Sequence, residues 1–431
     1  MFCQLELLRQ CFPPSVRHIL EELPESLDET YERILREIRK PNQGHAHRLL
    51  HCLVVAARPL EVKELAEVLA FDFSTGGMPT LNPGWRWEDQ EEAVVSACSS
   101  LVTIVKEGDS RVVQFSHFSV KEFLMGDRLA EPIRDVTRYH VGLEAGHTIL
   151  AQACLGVLLR LDDHVDRESI NNFPLARYAA QYWPTHARAE NVSSCIKDGM
   201  ECLFDAEKRH FSTWIWIYNE DWGCSLPTMC PEVPEAVPLY YAARLGFRDL
   251  TEHLIAKHPE HVNARGGSEV TPMHAAASAG HGDILSLLTK QGANVNGRGG
   301  TFEETPLHRA SENARVEAGQ FLLDSGADIN AGGDHNYTPL SRVASIGHVE
   351  FAQMLIGRGA MIDALDSEGK TPLHWAAGTG RTQVARLLLE HGADINARDR
   401  SGQTPFQLGS NWGYHEIVEL LSANGAESVT Q

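Results

Sequence analysis

The chain has 431 residues and a net charge of −20, with 43% hydrophobic and 22% charged residues. That is the balance of a globular protein with room for two to four domains. Lys and Arg are outnumbered by Asp and Glu 14 to 20 in residues 1–130, 9 to 15 in 131–233 and 15 to 23 in 234–431. With no basic segment, the electrostatic footprint of a nucleic-acid or membrane-surface binder is missing, so neither partner is expected.

No apolar run approaches the about 18 residues of a membrane-spanning helix. The nine cysteines all precede residue 231 at irregular spacing, with no Cys-x-x-Cys. This odd, motif-free set, without a secretory leader, predicts a reduced, cytoplasmic protein whose thiols are buried or in loops. Cys224 and Cys230 are the pair closest to a disulfide or metal spacing and are assigned the same bland role.

In chain order, Met1 opens inside an apolar stretch, "MFCQLELLRQ", and "LPESLDETYERIL" (23–35) follows. Leu23, Leu27, Tyr31, Ile34, Leu35 and Ile38 recur at three- and four-residue steps, an amphipathic helix started by a Ser26/Glu29 capping box. Phe2, Leu5, Leu8 and the apolar face of residues 15–38 are expected to lack part of their packing surface, as in a segment cut from a preceding module.

"HRLLHCLVVAARPLEVKELAEVLAFDF" gives two helices broken at Arg58-Pro59. His47 and His51 stand at i, i+4 and with His45 suit a metal. No third ligand or HExxH context accompanies them, and a solvated helix face is expected. "WEDQEEAVVSACSS" is a third helix. "LVTIV" and "RVVQFSH" flank the turn Glu107-Gly108-Asp109 as a hairpin, and "FSVKEFLMGDRLA" is a further helix. Three helices, a hairpin and a helix are the order of a winged helix. Farther on, Tyr178, Tyr182 and Trp183 read as core between helices, and "TWIWIYNEDW" (213–222) as packing beneath the repeats that follow.

From residue 237 the text repeats. Thr-Pro recurs at Thr271, Thr305, Thr338, Thr371 and Thr404, and Val237-Pro238 continues the series upstream. The period of 33 to 34 residues is that of ankyrin repeats, about six copies. Thr caps each first helix and Pro occupies its first turn. Ala276 and Ala377 allow close helix approach, and Gly292, Gly326, Gly359 and Gly392 supply left-handed stops. His274, His308 and His374 follow the period and read as ties between repeats rather than catalytic groups. Ser341 breaks their series, and an extra residue falls near Thr301–Glu304.

"ALDSEGKT" (364–371) satisfies a relaxed phosphate-loop pattern, but Pro372 removes an amide, Asp366 and Glu368 face the phosphates, and the segment keeps register with Asp399–Thr404. It is read as a repeat turn. Ankyrin arrays bind partners on the face made by hairpin tips and first helices. The register places Phe302, Glu304, Asn313, Asp334, His335, Tyr337, Ser367, Glu368, Lys370, Thr379, Arg400, Gln403 and Trp412 outward there. Phe302, Tyr337 and Trp412 are the aromatic anchors, and the acidic content favours a basic protein partner.

Together "FCQLELLRQC", "LPESLDETYERIL", "RPLEVKELAEVLAFD", "VQFSHFSVKEFL" and "FPLARYAAQYWPTHAR" resemble the module order of fungal NACHT proteins, members of the STAND ATPases. The winged-helix stretch also resembles the domain named after GPI inositol-deacylase, although no Gly-x-Ser-x-Gly nucleophile elbow occurs. The resemblance implies a NACHT tail at 1–40, a winged helix at 41–131, a helical bridge at 132–233 and ankyrin repeats at 234–431: a mainly α chain ending in a solenoid. It further implies that His117 matches the winged-helix histidine that touches the β-phosphate of ADP, although Phe118 stands where that family often has Asp. No Gly-rich lysine loop or acidic Mg²⁺-holding strand end is found, so no cofactor and no catalysis are expected. The chain reads as a non-enzymatic protein-binding scaffold of a NACHT-type signalling protein, or else as the regulatory and sensor half of a NACHT ATPase whose core is absent.

Overall fold

The structure, a computed structural model, describes residues 26–74, 77–130, 136–161, 166, 168–220, 237–266 and 270–427. Phe2, Leu5, Leu8, Cys224 and Cys230 lie outside the described residues. The rest falls into two units, one within Met1–Pro234 and one within Glu235–Gln431.

The first unit opens with α1 (Leu27–Glu37), and Ser26 accepts from the Glu29 amide at 3.2 Å, as the capping pattern requires. Replacing Ser26 with Ala is expected to cost about 1 kcal/mol, read as faster amide exchange in the first turn of α1. Most of the described apolar face of α1 is packed, whereas Leu27 at its start stays 44% exposed. Tyr31, Ile34, Leu35 and Ile38 are buried, Tyr31 meets the Phe123 ring at 5.4 Å, and its hydroxyl bonds Ser119 Oγ at 2.8 Å. The partner surface comes from farther along the chain, where a periodicity argument cannot see it.

Next come α2 (Gln43–Val55), β1 (Leu60–Glu61), α3 (Val62–Glu67), a short β2–β3 pair (Phe71–Asp72, Thr80–Leu81) and α4 (Gln90–Cys98). Strands β4 (Val102–Glu107) and β5 (Ser110–Phe115) form a hairpin with Glu107 opposite Ser110, turned at Gly108 with φ +60°. Strand β1 pairs with the other edge of β5 through Leu60 and Val113, which completes a three-stranded antiparallel sheet of order β1-β5-β4. Then α5 (Phe118–Met125) and α6 (Asp127–Ala130) follow. Helices α2 to α4 with this sheet are a winged-helix arrangement.

Five helices follow in this unit, α7 (Leu143–Leu158), α8 (Ala176–Ala187), α9 (Val192–Cys195), α10 (Lys197–Leu203) and α11 (His210–Glu220). Helix α7 lies close to α2. A Cβ at Gly146 would stand 2.8 Å from Val55 Cγ1 and 3.0 Å from the His51 carbonyl, so only glycine permits that approach. Tyr178 and Trp183 are fully buried and Tyr182 half-buried, the core role assigned to them. Trp214 on α11 packs on Trp183, Phe204 and Phe211 of this unit.

The second unit is six helix pairs. They are α12 (Pro238–Leu245) with α13 (Arg248–Lys257), α14 (Pro272–Ala279) with α15 (Gly282–Lys290), and α16 (Pro306–Glu312) with α17 (Val316–Asp324). Three more follow: α18 (Pro339–Ile346) with α19 (Val349–Gly357), α20 (Pro372–Gly378) with α21 (Thr382–Glu390), and α22 (Pro405–Asn411) with α23 (His415–Ala423). Each first helix starts at Pro, and Ala276 and Ala377 are fully buried where the pairs meet. Gly292, Gly326, Gly359 and Gly392 all adopt positive φ after the second helices. The extra residue of the third hairpin is absorbed by a tight loop. Gly299 and Glu304 exchange two backbone bonds of 2.9 Å, and Gly300 and Glu303 turn with φ +81° and +46°.

Candidate protein-binding surface

The periodic histidines are load carriers of the solenoid. In each, Nδ1 accepts from the backbone N–H of the capping threonine, at 3.3 Å for His274, 3.2 Å for His308 and 3.1 Å for His374. Nε2 donates to a carbonyl of the next repeat: Glu304 at 2.9 Å, Tyr337 at 2.8 Å and Gln403 at 3.1 Å. Burial pushes His274 and His308 down to about 4 and lowers His374, so all three rings are neutral at pH 7. At the broken position Ser341 bonds only within its own repeat, to Thr338 Oγ1 at 3.1 Å.

A second ladder escaped the sequence reading. Asn263 Oδ1 accepts from Asn294 N at 2.8 Å, Asn296 from Asp328 N at 2.8 Å, Asn330 from Met361 N at 2.9 Å and Asn396 from Glu427 N at 3.0 Å. Its signal was present in the recurring "VNAR" (262–265), "VNGR" (295–298), "INAG" (329–332) and "INAR" (395–398).

Hairpin tips are joined in the same way. Asp334 N donates to Phe302 O, Ser367 N to His335 O at 2.6 Å and Arg400 N to Glu368 O at 2.8 Å. This brings seven of the sequence-predicted residues, Phe302, Glu304, Asp334, His335, Tyr337, Glu368 and Thr379, around one cleft of about 440 Å³. Tyr337 and Trp375 meet edge to face at 4.9 Å, and Trp375 Nε1 donates to Asp366 Oδ2 at 2.9 Å. Phe302 projects 53% exposed at the rim beside the exposed Asp334, His335 and Glu368. The cleft thus has an aromatic wall and two exposed carboxylates.

Glu304 is corrected: it is buried, and Arg309 (3.3 Å) and Arg342 hold its carboxylate. The extra residue of its hairpin turns the side chain inward. Arg342 and Trp375, one period of 33 apart, were missed because they stand inside first helices, whereas the register projected only the ends of those helices and the hairpin tips. Arg342 also lies 5.4 Å from the Tyr337 ring centre, and Lys370 Nζ lies 5.0 Å from that of Trp375.

The remaining predicted residues lie outside this cleft's lining. Asn313 is exposed and tied to Ser278 Oγ at 3.1 Å, Ser367 Oγ bonds His335 Nδ1 at 3.1 Å, and Lys370 pairs with Glu368 at 2.7 Å. Arg400 is exposed, Gln403 half-buried, and Trp412 69% exposed on the last repeat.

The phosphate-loop look-alike is a repeat turn. Asp366 Oδ1 accepts from Glu368 N at 2.9 Å and Lys370 N at 2.8 Å, and Asp399 Oδ1 does the same for Ser401 and Gln403, both at 2.9 Å. With Asp366 taking the amides and Glu368 the ammonium, that loop offers an anion nothing.

In the first unit, His117 is exposed and caps α5, its Nδ1 accepting from the Ser119 amide at 3.3 Å. His51 is not on a solvated face. It is buried, its Nδ1 donates to the His47 carbonyl at 2.8 Å, and burial pushes it down to about 4. Helix α7 covers it, which the isolated helix pattern does not reveal. Cys52 and Cys98 are buried thiols pushed up to about 12, unsuited to nucleophilic chemistry.

Comparison with known proteins agrees with this architecture. The family profile described as "Ankyrin repeats (3 copies)" matches residues 239–333 and 340–431. The profile described as "GPI inositol-deacylase, winged helix domain" matches residues 31–133. The chain therefore carries ankyrin repeats and a winged-helix domain of that type. It is also similar to the "Azaphilone pigments biosynthesis cluster protein L" of Monascus ruber, 33% identical over 266 residues, covering 58% of this chain and 55% of that protein. The chain spans about half the length of this curated relative. Ankyrin repeats imply protein partners. Among the described residues no helix is long and apolar enough to cross a membrane.

Proposed function

We propose that this chain is a non-catalytic, cytoplasmic interaction protein of NACHT-type signalling, which captures a basic, apolar-tipped segment of a partner protein on its ankyrin hairpin face. The observation that carries the reading is the cleft where exposed Phe302 and the Tyr337–Trp375 pair adjoin Asp334 and Glu368. Aromatic anchors in a pocket with charged rims are where binding energy concentrates. We divide the chain into a NACHT tail (1–40), winged helix (41–131), bridge (132–233) and repeats (234–431), with His117 as a relic of nucleotide contact. The buried, neutral histidines and the buried thiols of Cys52 and Cys98 support a role without catalysis. Against nucleic acid stands the cleft beside the wing, which gathers Glu61, Glu88, Asp89, Glu91 and Asp109 against Lys63 and Arg111.

The test is selection of peptides from a random display library on the full chain, followed by affinity measurement. Phe302→Ala, at a side chain whose loss opens no core cavity, is expected to weaken selected peptides at least about tenfold, and Asp334→Asn to weaken those with Lys or Arg. Selected peptides that bind both variants as tightly as the parent chain would remove this surface from the function.

A further inference from the structure

A different feature of the first repeat is independent of that surface. We propose that His258, Glu260 and His261 form a transition-metal site suited to Zn²⁺. Helix α13 ends at Lys257, His258 is its cap, and Pro259 opens a 3₁₀ turn over Pro259–Asn263. That turn brings the two imidazoles, three residues apart, to the carboxylate between them. His258 Nδ1 lies 3.2 Å from Glu260 Oε1, and His261 Nε2 lies 3.9 Å from the same oxygen. One ligand atom from each residue lies within 4.8 Å of the others, and the ring centres are 5.0 Å apart.

Tetrahedral Zn²⁺ with bonds of about 2.0–2.1 Å holds its ligand atoms about 3.4 Å from one another. The observed separations straddle that value, so small side-chain rotations close the site. The orientation of His258 also fits. Its Nε2 is buried without a hydrogen-bond partner, which leaves Nδ1 as the working edge of the ring. Both histidines are partly and Glu260 largely exposed, so water can complete the coordination. Two imidazoles with one carboxylate favour zinc, nickel or copper over the oxygen-seeking Mg²⁺ and Ca²⁺. A bound ion would pin the end of α13 to the following turn and stiffen the first hairpin of the array.

Isothermal titration of the full chain with ZnCl₂, under a non-thiol reductant, tests this. The parent protein is expected to bind one equivalent more than His258→Ala/His261→Ala, Glu260→Gln to bind that equivalent at least tenfold more weakly, and MgCl₂ to give no such binding. On the parent chain, Zn²⁺ is expected to slow amide exchange over residues 254–263, a readout that needs no variant to fold. Equal zinc stoichiometry in parent and double variant, or exchange at 254–263 unmoved by saturating zinc, overturns the proposal.

Discussion

Replacing Trp214 with Ala is expected to destabilise the first unit by about 3–5 kcal/mol, the cost of emptying a large aromatic site in a packed core. The indole is buried against Trp183 at 5.5 Å, Phe204 at 5.3 Å and Phe211 at 5.8 Å, ring centre to ring centre. Packing is only part of its role. Helix α8 contains Pro184, which has no N–H to give the carbonyl of Ala180 four residues before it. Trp214 Nε1 donates to that carbonyl at 3.0 Å. A proline inside one helix thus creates an orphan acceptor, and an indole from another helix satisfies it. Trp214→Phe keeps most of the bulk but strands the carbonyl, and about 2 kcal/mol is expected. In a Pro184→Ala background residue 184 regains its amide, so Trp214→Phe should cost about 1 kcal/mol less there. Exchange protection of α8 and α11 in denaturant measures the parent, both Trp214 variants, Pro184→Ala and the double variant. If Trp214→Phe costs the same with and without Pro184, the carbonyl has no share in the role of Trp214.

This site also shows where reading the sequence succeeds and where it stops. The buried character of "YAAQYWPTHA" was legible from its aromatics, whereas the partner of Ala180 lies 34 residues away and depends on a crossing that no local pattern encodes. The repeat unit behaves differently, because each contact recurs at one period. Helix starts, glycine turns and histidine ties could all be read from spacing, since a repeat touches mainly its neighbours. The failures fall where the period slips. Glu304, in the hairpin with the extra residue, turns inward to Arg309 and Arg342 although the register projects it outward. The cleft was half legible: hairpin tips and the ends of first helices were projected, but Arg342 and Trp375, inside those helices, were not. In the first unit, His51 was misjudged because amphipathic spacing tells which face is buried in general, not which distant element buries it.

The second large effect is acid sensitivity of the repeats, and its direction follows from the histidine ties. Folded, His274 and His308 are pushed down to about 4 by burial, with Arg309 close to the first and Arg342 to the second. Unfolded, they titrate near their usual value of about 6.5. Between those values the unfolded chain binds more protons than the folded one, so lowering the pH favours unfolding. Stability from these two groups is therefore complete above about pH 6.5, falls steadily below it, and stops falling below about pH 4. By pH 5 the loss is on the order of 2 kcal/mol per histidine.

The last repeat supplies the control, because Gln407 caps Thr404 there, its Oε1 accepting from the Thr404 amide at 2.9 Å without titrating. His308→Gln should cost about 1–2 kcal/mol at pH 7 through the strained or lost bond to the Tyr337 carbonyl. At pH 5 the parent protein has lost its protonation-linked share and the variant has not, so the gap should vanish or reverse. Urea unfolding followed by amide exchange in α16 and α18, at pH 7 and pH 5, reads the difference directly. A gap of the same size at both pH values would mean that His308 takes up its proton equally in the folded and unfolded chain. The buried, neutral tie would then be the wrong account of why histidine recurs at this position.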